Sequence, residues 1–543
     1  MGKFPSVMSH SFSMVPKVDI PRSVFNRSHC FKTTFDADYL IPFLVDEALP
    51  GDSWNVDASL FARLNTPLSP VMDNMYLDVF FFSVPYRLVW ANWKNFMGER
   101  VDPDDDPSTY LVPHMHAPAS TGIAEQSLSD YFGLPTKIPD YQFNSLFHRA
   151  YNLIYNEWFR DQNLIDSVKV DTGAGPDTYT DYVLLKRCKK HDYFTSCLTA
   201  PQKGTVSSIS LTGNAPVLGI GKGNQTFASG PQTVYESNGA SRAYANYAMI
   251  SDGQVNDYFF VEKNTSTAYP NVYASLANIS ALTINDLREA FAVQTVLERD
   301  ARGGTRYCEI VQSHFGVTDP EHAVLQRPEY LGGSSTPVVI TPVPQTAPKP
   351  ATGTTTVQGN LAGFGTVSCT GAGFTKSFTE HCLIMGILNV RADITYQQGL
   401  NRMFSRQTRY DFYLPALANL GEQEVLMKEL YCQDPATDTG STGIADNERV
   451  FGYQERWAEY RYKPSLITGK LRSTCSTSLD NWHLSEEFSA LPALDDTFIT
   501  SNTPIDRVVA VTTEPDFTLD SFIKMIVARP MPVFSVPGAM GRF

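Results

Sequence analysis

The segment Tyr76–Val84, with the sequence YLDVFFFSV, decides the fold class of this 543-residue chain. It is a nearly continuous apolar run that ends at Pro85, too short for an ordinary helix and rich in Phe and Val, so it predicts a buried strand. A second segment, LNVRADITY at Leu388–Tyr396, alternates apolar with polar side chains. Side chains on a strand point alternately to its two faces, so this segment predicts a strand with one buried face.

Further strands are predicted along most of the chain, and helices are few. The strand predictions are Phe31–Asp38, Leu40–Val45, Cys382–Val390, Glu455–Tyr462 and Phe522–Ala528. Helical spacing of apolar side chains predicts helices only at Ser145–Arg160 and Asn285–Arg299. Scattered strands with long intervening loops predict a mainly all-β, antiparallel architecture with elaborated loops. A jelly roll fits this pattern, but other β-sandwiches fit it as well.

Composition and charge narrow the class of protein. The formal charge is −14 and 12% of residues are aromatic. An acidic chain binds nucleic acid poorly by itself, because binding to phosphates depends on Lys and Arg. No apolar run approaches the roughly 18–20 residues that span a bilayer, so no membrane insertion is expected. The eight Cys include no CxxC pair and indicate mostly buried, free thiols in a reducing compartment.

Three segments differ from the rest in composition. Residues 1–28 are polar, punctuated by Pro and locally basic, and they predict an extended N-terminal arm. Residues 205–282 are poor in charge but keep their aromatics, which favours an ordered insertion. Residues 331–376 are rich in Pro, Gly and Thr and predict a long surface connection.

No catalytic, cofactor or metal site is predicted. Asp102, Asp104 and Asp106 begin like a calcium-binding EF-hand loop, but Pro107 and Pro113 stand where that loop needs Gly and Glu. A solvated acidic loop is therefore favoured over a weak cation site in the Asp102–Asp106 loop. His114 and His116 have no third metal ligand near them in the sequence, so they are only weak evidence for a metal site.

Several long blocks, in order over most of the chain, resemble the major capsid proteins of microviruses, which are small single-stranded-DNA bacteriophages, and most closely the gokushovirus branch. These blocks are HSFSMVPKVDIPRSVFNRSH (His10–His29), Phe31–Pro42, MDNMYLDVFFFSVPYRLVW (Met72–Trp90), KRCKKHDYFTSCLTAPQKG (Lys186–Gly204), Leu287–Val317, RPEYLGG (Arg327–Gly333) and VARPMPVFSVPG (Val527–Gly538). The match is poorest at Thr205–Leu282, where that family carries a hypervariable insertion.

The resemblance implies a structural, self-assembling protein and not an enzyme. Residues 29–543 would form an eight-stranded viral jelly roll, with 205–282 as a surface protrusion at the capsid three-folds that is used in host attachment. The subunits would build a T=1 icosahedral shell around circular single-stranded DNA. The implied partners are other copies of the chain, a small basic DNA-binding protein, a pilot protein and a bacterial host receptor. The chain would be located in the virion, after assembly in the host cytoplasm.

Two alternatives remain open at the level of sequence. A host-attachment spike or adhesin would also be rich in strands, although repeats or a stalk would be usual. A β-sandwich carbohydrate-active enzyme would need paired carboxylates or a cleft lined by aromatic side chains, and no local motif supports either.

Candidate contacts with the enclosed DNA are the cations near the two ends of the chain. They are Lys17, Arg22 and Arg27 on the arm, and Arg529 and Arg542 near the C-terminus. A role in solubility or in contacts between subunits is the alternative for all five. Even together they would neutralise little phosphate, so the sequence predicts that a basic partner retains the genome.

Overall fold

The computed structural model describes residues 21–104, 106–204, 284–318, 325–346, 359–435, 438 and 445–534, together with the backbone of short strands between 217 and 274. The chain forms two compact units, one made of residues 202–303 and one made of the remainder. None of the helices in the described ranges is long and apolar enough to cross a membrane.

Strands dominate the described part of the chain. In chain order they are β1 (Ser23–Asn26), β2 (His29–Phe35), β3 (Ile41–Ala48), β4 (Ser53–Leu64), β5 (Met75–Pro85), β6 (His114–His116), β7 (Gln142–Asn144), β8 (Val217–Leu218), β9 (Ile220–Lys222), β10 (Gln232–Tyr235), β11 (Ser241–Tyr244), β12 (Ala248–Met249), β13 (Tyr258–Val261), β14 (Tyr273–Ala274), β15 (Glu329–Pro337), β16 (Val339–Pro344), β17 (Leu361–Ser377), β18 (Cys382–Ala392), β19 (Glu422–Leu426), β20 (Val450–Glu455) and β21 (Phe517–Arg529).

The helices are mostly single turns. They are α1 (Tyr86–Val89), α2 (Trp93–Phe96), α3 (Leu128–Tyr131), α4 (Leu146–Ile154, continued by a π-helical turn at Tyr155–Phe159), α5 (Ile284–Arg302), α6 (Tyr307–Phe315), α7 (Met427–Leu430), α8 (Ala458–Arg461) and α9 (Asp496–Ile499). The two helices predicted from sequence correspond to α4 and α5.

Two antiparallel sheets pack face to face around the main core. The larger has the strand order β1-β21-β4-β17-β16, with β2 also paired to β21, and the smaller has the order β15-β5-β18-β3. Because β2, β3, β4 and β5 belong to alternate sheets, the chain passes repeatedly across the core. The mainly all-β, antiparallel, jelly-roll-like fold is thus confirmed. The count of eight strands stays a prediction, since these sheets as assigned hold six and four strands.

The continuous apolar runs of β5 and β18 are explained by burial of both faces of the smaller sheet. In β18, Ile384 and Leu388 point into the core between the sheets, whereas Met385 and Ile387 pack in a second core with α4. The strands β4 and β21, by contrast, bury every second residue and expose the others. Alternation marks a sheet with one covered face, and a continuous run marks a sheet covered on both.

A buried ion pair anchors α4 to the segment that precedes β8. The guanidinium of Arg149 donates to both carboxylate oxygens of Asp177, at 2.7 and 2.5 Å, and to the carbonyls of Val89 and Gly173. Both charged side chains are almost fully enclosed. Burial opposes ionisation of Asp177, but hydrogen bonds from Arg149 and Tyr182 outweigh it and keep the pKa of this carboxyl below its usual value.

Four predictions from sequence need correction. Residues 331–376, predicted as a surface connection, form most of β15, all of β16 and most of β17, and Val367 and Phe374 reach the main core. Glycine and threonine lowered the apparent strand signal there, although side chains in β17 alternate between buried and exposed. The strand predicted at Glu455–Tyr462 is wrong, because β20 ends at Glu455 and α8 follows Trp457, whose φ is +69°.

The third correction concerns Leu388–Tyr396, whose strand ends at Ala392, four residues earlier than predicted. The fourth correction concerns the cysteines, which were predicted to be mostly buried. They are free thiols, but only Cys197, Cys369 and Cys382 are buried.

Candidate nucleic-acid interface

Three of the five candidate DNA-contacting cations meet at one edge of the larger sheet. β1 pairs with β21 so that Ser23 lies opposite Arg529, and Arg22 directly precedes Ser23. The backbone N–H of Arg27 donates to the carbonyl of Met525 at 2.8 Å. Arg22 and Arg27, near the start of the chain, therefore lie on the same sheet edge as Arg529, near its end. Lys17 and Arg542 lie outside the described residues.

The side chains of these three arginines already have partners within the chain. Arg22 donates to Ser53 Oγ at 2.6 Å, and Nη1 of Arg27 lies 2.6 Å from a carboxylate oxygen of Asp46. Arg22 is exposed and the Arg27 side chain is 37% exposed, so both still reach solvent. Their role as DNA contacts stays a prediction.

Arg529 is much more enclosed and is held by three neighbours. Its Nε donates to Asp52 Oδ2 at 2.8 Å and its Nη2 to the carbonyl of Glu47 at 2.6 Å. The guanidinium also lies over the ring of Trp54, 5.5 Å from the centroid. These contacts fix the turn between β3 and β4.

The acidic loop folds on itself. Asp106 accepts a hydrogen bond from the backbone N–H of Ser108 at 2.9 Å and caps a short 3-10 turn. That hydrogen bond lowers the pKa of the Asp106 carboxyl. Within the described ranges no group of three or more His, Cys, Asp or Glu residues is arranged to hold a metal ion.

His114 and His116 occupy the short hairpin formed by β6 and β7. Their rings are 5.8 Å apart, and His116 Nδ1 lies 3.2 Å from Asp140 Oδ1.

Large apolar side chains remain exposed on the outer face of the larger sheet. Phe61 on β4 and Phe522 on β21 are each about half exposed, at 50% and 49%. They are near neighbours, because Phe522 is paired with Ser59 and Phe61 with Asp520. Neighbouring exposed aromatic side chains on the face of a sheet indicate a site of association.

Comparison with known proteins gives the family of this chain. The model of the phage family described as capsid protein (F protein) matches residues 13–539. The chain belongs to this phage capsid protein family. Its relatives include three proteins called capsid protein VP1: that of Bdellovibrio phage phiMH2K is 44% identical and that of Chlamydia phage 1 is 43% identical, each aligned over at least 98% of both chains. That of Spiroplasma virus 4 is 35% identical over 97% of both chains.

These comparisons confirm the microvirus resemblance that the sequence blocks indicated. Membership of a capsid protein family makes the chain a structural protein of the virion and not an enzyme. The carbohydrate-active enzyme is therefore rejected on the family match, and not because a catalytic motif is missing.

Proposed function

We propose that this chain is the subunit of a T=1 icosahedral shell that encloses a circular single-stranded DNA genome. The observation that carries the proposal is the alignment of almost the whole chain with capsid proteins called VP1. The exposed pair Phe61 and Phe522 supports it, because closed symmetric assembly buries such surfaces by repeating one set of contacts. Each subunit should bury well over the ~1,200–2,000 Å² of a standard interface, summed over its neighbours.

Residues 205–282 are proposed to form an outward protrusion that takes part in attachment to a bacterial receptor. Support comes from their composition, which is low in charge and rich in Ser, Thr, Asn and Tyr, as in adaptable recognition surfaces. The compact unit 202–303, which contains them, supports their being separable from the jelly roll.

Genome retention is proposed to need a small basic DNA-binding protein, and a pilot protein is proposed as a further partner in the virion. Each subunit carries 14 excess negative charges, and charge of the same sign on the DNA opposes packaging within the ~8 Å Debye length. The arginines at the β1–β21 edge also favour a separate basic partner. Arg27 and Arg529 already pair with carboxylates of this chain, so their charge is partly neutralised before any phosphate is bound. Assembly in the bacterial cytoplasm, before release in the virion, is proposed with these partners.

Assembly of the purified chain tests the proposal. The chain is produced in bacteria, and sedimentation velocity is combined with negative-stain electron microscopy over a range of salt and pH. We expect closed shells or symmetric intermediates such as pentamers. A single 60.3 kDa species under every condition would contradict the proposal, and uniform elongated oligomers would favour the spike or adhesin instead.

A further inference from the structure

A second basic surface, which the sequence analysis missed, lies far from the two chain ends. Residues 400–413 and 456–472 contain eight Lys or Arg residues and only two Asp or Glu residues, in a chain whose net charge is −14. The two segments adjoin, because Arg406 pairs with Glu459 at 3.1 Å and lies 4.3 Å from the ring centroid of Tyr460. Together they line a recess of about 730 Å³, which we call the aromatic recess.

Exposed aromatic rings alternate with these cations. Nine large apolar side chains of the two segments are exposed, and six of them are aromatic: Phe404, Tyr410, Phe412, Tyr413, Tyr460 and Tyr462. Phe404 is 71% exposed and Tyr462 is 53% exposed, and both line the aromatic recess. These two rings are therefore accessible to a ligand in the recess.

The carboxylates that line the aromatic recess do not make it acidic. Glu429 accepts from Arg402 at 3.0 Å, and Glu459 accepts from Arg406, so each carboxylate is matched by a guanidinium. Lys463 and Arg472 also line the recess and add positive charge beyond these pairs. Nε of Arg406 is buried and has no hydrogen-bond partner in the described part of the chain. The recess thus has positive charge to offer a ligand.

We propose that the aromatic recess binds single-stranded DNA, with unstacked bases against the exposed rings of Phe404 and Tyr462 and phosphates against Lys463 and Arg472. Stacking on aromatic faces combined with a cationic groove is how proteins bind single strands without regard to sequence. This inference rests on the proposed function, since it assigns a site to the genome that the shell would enclose. A second copy of the chain is the other occupant to consider. The exposed apolar side chains that line the recess are mostly aromatic, namely Phe404, Tyr460 and Tyr462 against Met403 and Leu466, and the excess of cations fits phosphate.

Fluorescence anisotropy of the full-length chain with a labelled oligo(dT) of about twelve nucleotides tests the site. A stacking variant combines Phe404→Leu and Tyr462→Leu, and a charge variant combines Lys463→Gln and Arg472→Gln. Arg402 and Arg406 are kept because they pair with enclosed glutamates. We expect the stacking variant to raise Kd about tenfold or more, with an unchanged salt slope. The charge variant should reduce the slope of log affinity against log salt by about 1.4, because two single-strand phosphate contacts are lost.

Matched controls are Phe315→Leu and Lys32→Gln, which alter an exposed ring and an exposed cation elsewhere; both should bind as the parent chain does. Equal affinity for a duplex of the same length, or an unchanged Kd in the stacking variant, would overturn the inference.

Electron microscopy of the same samples distinguishes failure of the recess as a DNA site from failure of the proposed function. If the stacking variant binds DNA normally but no longer forms shells, the recess is a contact between subunits and the inference fails. If the parent chain binds DNA through the recess but never forms shells, the proposed function fails and the site stands.

Discussion

Arg529 and Asp52 form an enclosed ion pair that joins the end of β21 to the turn before β4, with Arg529 Nε donating to Asp52 Oδ2 at 2.8 Å. The Asp52 side chain is completely buried, and the same oxygen also accepts from the backbone N–H of Leu49 and from Trp54 Nε1. A buried carboxylate with one cationic partner depends on that partner. Arg529 was predicted from sequence as a DNA contact, but its enclosed pair indicates a structural role.

The substitution Arg529→Met should lower the free energy of unfolding by about 3 kcal/mol, because it leaves Asp52 charged and buried without a counterion. Urea unfolding of the dissociated subunit measures this. The matched control is Lys32→Met, whose pair with Asp520 is exposed and 3.8 Å long, and which should cost less than about 1 kcal/mol. Normal stability together with weaker DNA binding in Arg529→Met would show that Arg529 serves the genome instead.

Gly373 on β17 pairs with Asp57 on β4, beside an irregularity in the register between Cys369 and Ala372. A Cβ at this position would overlap the carbonyl oxygen of Val56. Gly373→Ala should therefore destabilise the subunit by more than about 2 kcal/mol, through displacement of a central strand. Thermal unfolding and the soluble yield are the measurements.

Gly371→Ala is the control for this glycine. A Cβ at Gly371 meets nothing within 4 Å, so the substitution bears only the backbone cost of its φ of +78°, about 1 kcal/mol. Equal losses in the two variants would mean that the close approach of the strands does not limit stability.

Asp516 makes the stability of the subunit depend on pH. Burial, with Asp36, Asp506 and Asp38 nearby, raises the pKa of its carboxyl to about 6, against the opposing hydrogen bond from the N–H of Ala37. A raised pKa means that the folded chain holds this proton more tightly than the unfolded chain, so stability is lost as the pH rises from about 4 through 6.

Asp516→Asn removes this ionisation and should stabilise the subunit at pH 7 by about 1–2 kcal/mol relative to the parent, with the difference shrinking toward zero at pH 4. The magnitude allows for partial solvent access to the carboxyl. Urea unfolding at a series of pH values measures the difference. A constant difference, or one that grows as the pH falls, would rule out this assignment of the titrating group.

Much of the sandwich was predictable because its signals are local. The continuous apolar run at Tyr76–Val84 reports directly that both faces of its strand are covered. The turn from β20 into α8 was not predictable, because it depends on Trp457 adopting a left-handed backbone conformation and burying its ring. Likewise, glycines in β17 weaken its local strand signal although close strand packing requires them.

The functional surfaces were predictable only in part. The charges of Arg22, Arg27 and Arg529 are visible in sequence, but their partners come from β3, from the turn before β4 and from the start of β4. The aromatic recess was missed because its two segments are more than forty residues apart and each alone reads as a loop or strand. Its signal in sequence is the local excess of Arg and aromatic residues over acidic ones.

Replacement of residues 205–282 by a short Gly/Ser linker should leave shell formation intact and reduce host attachment. Loops and inserted units tolerate changes of length better than sheets do. Electron microscopy shows whether shells form. Adsorption to host cells measures the attachment of particles that carry the replaced segment. Insolubility of the deletion, with normal infection by point variants within the segment, would show that the segment belongs to the core of the subunit.

A density map of the assembled, DNA-filled particle tests the central claim most directly. We expect an icosahedral shell with one copy of this chain in each equivalent position, built from the β-sandwich, with residues 205–282 on the outside and the aromatic recess facing the DNA. A map in which another protein forms the shell, and this chain occurs only as a projection at its vertices, would contradict the account.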